Sequence, residues 1–316
     1  MGILVTGGAG FVGSHLVERL AREAPHPIAV FDNLYRGRTE NLAACSNRIR
    51  FVKGDIRDRH TLGRLTRGIQ VVFHLAAQSN VIGAANNLRY STSSNIAGTL
   101  NVLEAARQNG VRRVVFASSR EVYGDPSSLP VAETAPLVPK NAYGMSKVAG
   151  EMCCAMLAGS KLETVVLRLA NVYGPRDRDR VIPLFLENAL RGRPLMLYGG
   201  GQVLDFIWID YVVTALIRAG LGDHIPGPVN VGSGEGIRIA ELAQRILELT
   251  NSNSELRYLP GRGLEVVAFV ADTTRASRVL GINSRHQSLF WLPDLIASSK
   301  RRITPSTSAC LTGAPA

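Results

Sequence analysis

Thr6-Gly7-Gly8-Ala9-Gly10-Phe11-Val12-Gly13 follows the apolar run Ile3-Leu4-Val5 and leads into a helical pattern over His15–Arg22. Glycines at 7, 10 and 13 permit a tight turn, let backbone approach a pyrophosphate and let the helix pack on the strand. The helix N-terminus favours the anion. The next apolar run, Ile28–Phe31, ends at Asp32, 19 residues past Gly13. A carboxylate there accepts hydrogen bonds from an adenosine ribose and repels a 2′-phosphate. Strand, glycine turn, helix and acid together predict a dinucleotide site, with NAD favoured over NADP. Arg36 and Arg38 stand close enough to serve a 2′-phosphate instead. Asn33 lies beside Asp32, and Asp55-Ile56, after the third strand, suits the adenine edge.

Outward from that turn, short β-branched runs alternate with longer helical patterns, as a parallel sheet with crossover helices requires. Strands are expected at Ile3–Thr6, Ile28–Phe31, Arg50–Val52, Val71–Leu75, Val114–Ala117 and Thr164–Leu167. Helices are expected at His15–Arg22, Leu62–Arg67, Gly98–Asn109 and Lys147–Leu157. The fold class is α/β, a doubly wound parallel Rossmann sheet with a smaller C-terminal α/β substrate domain. The expected division is a nucleotide domain over residues 1–172, with 203–232 returning to it, and a substrate domain over 173–202 and 233–303. Past Gly174-Pro175 the pattern loosens: a helix at Leu184–Arg191, a tight loop at Gly199-Gly200-Gly201, a strand at Asp205–Asp210 and an amphipathic helix at Ile239–Leu249. Thr304–Ala316 reads as a disordered tail.

Composition narrows the function classes. Hydrophobic residues make up 46% and charged residues 19% of 316, which suits a folded globular chain. Cys45, Cys153, Cys154 and Cys310 form no CxxC pair and no metal-ligand spacing with histidine, so no metal is expected, and the usage fits a reducing cytoplasm. The chain enters an apolar strand at Gly2 without a basic leader, and no segment approaches the roughly 20 apolar residues of a membrane span. The net charge of +11 points to an anionic small substrate, because the arginines are dispersed and no nucleic-acid motif is present.

Tyr143-Gly144-Met145-Ser146-Lys147 places a phenol and an ammonium four residues apart on one helix face. A free tyrosine has a pKa near 10. A nearby lysine and a positive nicotinamide ring both favour the phenolate, so the pair is a proton-transfer unit beside the cofactor.

Val114–Gly124, with Ser118-Ser119-Arg120-Glu121, resembles the strand-to-loop region of extended short-chain dehydrogenases/reductases, and Ser119 matches their catalytic Ser/Thr. Pro139–Tyr143 with Ser146-Lys147, His74-Leu75-Ala76-Ala77-Gln78, Asn95 with Gly98-Thr99, and Arg168–Arg176 resemble further blocks in the family order. The resemblance covers about residues 2–282 and is strongest to NDP-sugar 4-epimerases acting on UDP-galactose or UDP-uronic acids. It implies that Tyr143, helped by Ser119, takes the sugar 4-hydroxyl proton as hydride leaves C4 for NAD. The resulting 4-keto sugar turns and is reduced on its other face. Lys147 then binds the nicotinamide ribose, Leu75, Ala76, Ala77, Gln78 and Asn95 line the cofactor, and a UDP-sugar lies against Ser118, Ser119, Arg120, Asn171, Arg176, Arg178, Gln202 and Arg262. The resemblance also implies a homodimer through helices at about 84–108 and 141–158, with Ala142, Gly144, Ala149 and Gly150 permitting close approach.

Two departures qualify the resemblance. Leu204 occupies the place of a diphosphate-binding arginine, while Arg262 matches a second one. Glu121 matches a glutamate that dehydratases and UDP-glucuronate decarboxylases use on the keto intermediate, but Arg120 stands where the dehydratases carry an acid, and arginine cannot donate a proton at neutral pH. Arg120, Arg176, Arg178 and Arg180 are expected to cluster near the sugar, one of them meeting a C6 carboxylate. The alternatives to a 4-epimerase are a UDP-glucuronate decarboxylase with Glu121 active and a non-catalytic NAD-binding scaffold.

Overall fold

The computed structural model describes residues 2–303 apart from 24, 25, 160, 224, 285 and 286, so the Thr304–Ala316 tail and Cys310 lie outside the described residues. The first six strands are β1 (Gly2–Thr6), β2 (Ile28–Asp32), β3 (Ile49–Lys53), β4 (Ile69–His74), β5 (Arg113–Ser119) and β6 (Glu163–Leu169). The chain continues through β7 (Asn171–Tyr173), β8 (Leu195–Tyr198), β9 (Val203–Trp208), β10 (Val229–Val231), β11 (Gly236–Arg238), β12 (Leu256–Leu259) and β13 (Ala268–Phe269).

Seven strands form one parallel sheet in the order β10-β6-β5-β4-β1-β2-β3. Every residue of β5 is buried, as expected of a central strand covered by helices on both faces. Strand order reverses between β1 and β4, which opens a crevice at the carboxyl ends of the strands.

The later strands build a separate layer. The first half of β9 pairs with β11 and β13, and its second half with β7, while β8 pairs with β12. The expected strand at Asp205–Asp210 is displaced: it runs Val203–Trp208, because Ile209 already starts the helix Ile209–Leu221. Asp205, fully buried, accepts from Ser233 N and Oγ, Gly234 N and Ala271 N at 2.7–3.1 Å. Four donors stabilise this buried carboxylate and clamp β9 to the loop after β10. No helix among the described residues is long and apolar enough to cross a membrane.

Candidate active site

The carboxyl ends of β1, β2, β4 and β5 open into a cleft of about 640 Å³ that extends to Tyr198, Gln202, Leu204 and Arg262 in the later layer. At the end nearest β1, Gly7 turns with φ +72°, and a Cβ on it would lie 2.6 Å from Ala76 N. Only glycine lets the turn sit this close to the loop after β4. Gly10, Phe11, Val12 and Gly13 line the cleft where the helix Phe11–Glu23 begins, presenting its N-terminal amides.

Asp32 sits at the end of β2, buried, with Ala9 N donating to Oδ2 at 3.0 Å and Leu34 N to Oδ1 at 2.8 Å. Burial raises its pKa and these two amides oppose that shift. Each oxygen keeps a lone pair for a ribose hydroxyl. Arg36 is drawn away, its Nη1 donating to Ser79 Oγ at 3.0 Å and its Nη2 pairing with Asp179 at 2.8 Å. The turn, the amides and the acid fit NAD. Asn33, Ile56, Leu75, Ala76 and Ala77 also line the cleft. Asp55, Gln78 and Asn95 stand behind the lining. Asp55 is held by Arg57 and by Asn33 Nδ2, and chiefly the Arg57 hydrogen bonds bring its pKa down to about 2.

Asn95 lies on a π-turn, Ser93–Ala97, a local widening common at functional sites. Its Oδ1 accepts from Gln78 N at 2.7 Å, and its Nδ2 donates to Gln78 O and to Ser146 Oγ. Ser146 Oγ in turn donates to Tyr143 O. Asn95 thus ties the loop after β4 to the Ala142–Leu157 helix that carries Tyr143 and Lys147. Behind it, Thr99 donates to Asn95 O at 2.6 Å and so receives His74 Nε2–H at 2.9 Å, leaving His74 Nδ1 to accept from Thr6 at 2.7 Å. One buried polar chain runs from the residue before the glycine turn to the helix that carries Tyr143 and Lys147.

Asn141 starts that helix: its Oδ1 accepts from Gly144 N, and its Nδ2 donates to Glu121 Oε2 at 2.7 Å. Tyr143, Lys147 and Ser119 meet inside the cleft. Burial pushes the Tyr143 phenol up to about 12, against the pull of Arg180, a Ser119 hydrogen bond and Arg36. Lys147 Nζ donates to Ala117 O at 2.7 Å, and burial lowers its pKa to about 8.

The arrangement supports proton transfer at Tyr143 beside a nicotinamide site. A family model for NAD-dependent epimerases/dehydratases matches residues 3–232. The chain belongs to that family. It is an NAD-dependent enzyme of the epimerase/dehydratase type. The UDP-glucose 4-epimerase of Mycolicibacterium smegmatis is 38% identical over 291 residues, covering 89% of this chain and 93% of that protein. UDP-glucuronic acid decarboxylase 4 of Arabidopsis thaliana is 32% identical over 313 residues, covering 95% of this chain and 69% of that protein. The structure of the Thermotoga maritima UDP-glucose 4-epimerase with UDP-glucose superposes with a TM-score of 0.91 at 32% identity, covering 96% of this chain and all of that one.

Within this epimerase/dehydratase family member, the residues expected at the substrate divide. Ser119, Arg120, Glu121, Asn171, Gln202 and Arg262 line the cleft. Arg262 lies 3.5 Å from the Tyr198 ring centre, and Gln202 Nε2 donates to Tyr198 O. Ser118 lines the cleft too, with its hydroxyl donating to Glu151, which also pairs with Arg168. Arg176, in the left-handed region at φ 71°, reaches Glu18 at 2.6 Å and Ser14 at 3.3 Å, so its charge is spent on the first helix. Arg178 is exposed at the rim. The missing assignment is Asn141, for which a helix-capping Asn beside Tyr143 was the available signal. Arg180, expected near the sugar, and Arg36, expected near a 2′-phosphate, act on the Tyr143 phenol, an effect that arises from segments far apart in sequence. Among the described residues, no group of three His, Cys, Asp or Glu is placed to hold a metal.

Proposed function

We propose that the protein is an NAD-dependent 4-epimerase of a UDP-sugar, with UDP-glucuronate and UDP-galacturonate favoured over UDP-glucose and UDP-galactose. The observation that carries this reading is that Tyr143, Ser119 and Lys147 line one cleft together with the glycine turn and the Tyr198–Arg262 stack. A bound nicotinamide supplies the hydride acceptor and donor. Tyr143 Oη takes the 4-hydroxyl proton, Ser119 Oγ hydrogen-bonds the phenol, and Lys147 holds positive charge under the same helix turn. Tyr143 returns the proton after the 4-keto sugar has turned, which inverts C4. Arg262 and Gln202 suit the nucleotide diphosphate, and Leu204 contributes only apolar contact.

The uronate preference rests on the arginine beside Ser119. The decarboxylase relative and the presence of Glu121 at the cleft favour a second reading, loss of the C6 carboxylate from a 4-keto uronate. Against it, both Glu121 oxygens are engaged, one by Arg120 at 2.8 Å and one by Asn141 at 2.7 Å. Proton NMR of UDP-glucuronate incubated with enzyme and NAD separates them. The 4-epimer without carbon dioxide supports the first reading, and carbon dioxide release the second; no change with any UDP-sugar returns the chain to a scaffold.

A homodimer through the Ala142–Leu157 helix is part of the proposal, but not through all of its small residues. A Cβ on Gly144 would meet Glu121 O and Pro139, and one on Gly150 would meet the Phe116 ring, so these glycines serve packing on the protein's own sheet. The helix exposes Met145, Met152 and Met156, at 61–79% exposure, and the preceding helices expose Leu88 and Leu100. Met152→Lys is expected to shift sedimentation from dimer to monomer; an unchanged monomer in the wild type contradicts the dimer. The free thiols of Cys45, Cys153 and Cys154 fit a reducing cytoplasm.

A further inference from the structure

The Arg120 guanidinium has one end engaged and one end without a partner among the described residues. Nη2 pairs with Glu121 Oε1 at 2.8 Å and Nε donates to Asn171 Oδ1 at 3.3 Å. Nη1 is buried and has no hydrogen-bond partner among the described residues. The residue is 9% exposed and lines the cleft beside Ser119 and Tyr143. An orphaned donor on a buried cation is costly, and native proteins rarely leave one without a ligand, an ion or a buried water to complete it.

We propose that Arg120 reads the C6 substituent of the sugar, its Nη1 donating to a C6 carboxylate; the inference rests on the nucleotide-sugar reading above. Lys147 is anchored on Ala117 O beside Tyr143, and most of the other arginines of the cleft are engaged with protein groups. Arg176 is spent on Glu18, Arg180 pairs with Asp177 over the Phe11 ring, Arg36 pairs with Asp179, and Arg262 stacks on Tyr198. Arg38 and Arg178 are exposed. Among the arginines of the cleft, only Arg120 combines burial, contact with the cleft and a donor without a partner among the described residues.

Glu121 completes the device. A substrate carboxylate brought beside the Glu121 carboxylate alone would be repelled. With the guanidinium between them, one cation bridges two anions, Glu121 on Nη2 and the sugar on Nη1. Asn141 fixes the second Glu121 oxygen at 2.7 Å, so Glu121 acts as the counter-charge that orients Arg120. A hydroxymethyl group can also accept from Nη1, but a charge-assisted bond is roughly twice as strong as a neutral one.

The test is the ratio of kcat/KM for UDP-glucuronate to that for UDP-glucose in the wild type, Arg120→Gln and the double variant Arg120→Gln/Glu121→Gln. The wild-type ratio is expected to exceed one and to fall about 10- to 100-fold in both variants, the loss of one charge-assisted bond. A wild-type ratio of one or below, or an equal fall for both substrates, overturns the proposal. Arg120→Gln leaves Glu121 buried without its cation, so if it fails to fold the double variant, which removes both charges, decides. If no sugar nucleotide turns over, the epimerase reading fails and calorimetry on the NAD-loaded protein decides Arg120 by itself. There Arg120→Gln must weaken UDP-glucuronate about tenfold more than UDP-glucose, and an equal weakening overturns it.

Discussion

Lys147 Nζ lies 5.7 Å from the centre of the Tyr143 ring and gives its hydrogen bond to the Ala117 carbonyl at 2.7 Å. The ammonium is thus anchored to strand β5 at Ala117, while Ser119 makes the direct contact with the phenol. Tyr143→Phe keeps the buried ring and removes the proton carrier. Epimerase turnover is expected to fall by about 10³-fold, the usual scale for a positioned acid–base group, with NAD affinity within about threefold, as one lost neutral hydrogen bond allows. Single-turnover kinetics and NAD titration check this; turnover within about tenfold of wild type contradicts it.

Arg180 is the largest of the groups that pull the Tyr143 phenol down against its burial. Arg180→Met removes that pull and raises the phenol pKa further. Activity that depends on the phenolate then requires higher pH. The kcat/KM profile is expected to move upward in pH, with about a 3- to 10-fold loss near neutrality that recovers in alkaline buffer. A loss of the same size at every pH assigns Arg180 to packing instead.

His74 is fully buried between Thr6 and Thr99, and burial, helped by Lys147, brings its pKa from 6.5 down to about 3. The unfolded chain takes up a proton that the fold refuses. Stability at this site is therefore whole above about pH 6.5 and declines as pH falls toward 3, by up to about 1.4 kcal/mol per pH unit. In His74→Gln the urea-unfolding free energy should be lower near neutrality by about 1–3 kcal/mol, from the disturbed Thr pair, and its acid-side slope should be shallower by about the single-proton value. Equal slopes in the two proteins refute the assignment.

Asp32 presents a carboxylate where a 2′-phosphate would sit, and Arg36 is held off by Ser79 and Asp179. Asp32→Ser removes the repulsion and one ribose acceptor. The ratio of NADP to NAD affinity should rise at least tenfold, equivalent to about 1.4 kcal/mol. Fluorescence titration of the reduced cofactors measures it, and an unchanged ratio places discrimination elsewhere.

The dinucleotide end of the site was legible because its signal is local. Gly7, Gly10, Gly13 and Asp32 are fixed by one strand-turn-helix-strand unit, and their spacing states their positions. The Tyr143–Lys147 pair was legible for the same reason, being one helical turn apart. Arg176 lines the cleft as expected, but its pairing is set by a left-handed turn and by Glu18, 158 residues earlier, which no local pattern shows. Gly144 and Gly150 looked like an approach surface, whereas a side chain at either would strike Glu121 or Phe116. Periodicity gives the helix but not which of its faces meets the sheet. Asp205 reads as an ordinary strand residue, and only the chain's return through Ser233 and Ala271 reveals it as a clamp.

The most direct test follows the C4 hydrogen. UDP-glucuronate carrying deuterium at C4 is incubated with enzyme and NAD in ordinary water, and the product is read by NMR and mass spectrometry. Transfer to the bound cofactor and return to the opposite face predict a 4-epimer that keeps the deuterium at C4 and every carbon of the sugar. Loss of the label to solvent, or a product one carboxylate lighter, contradicts 4-epimerisation at Tyr143.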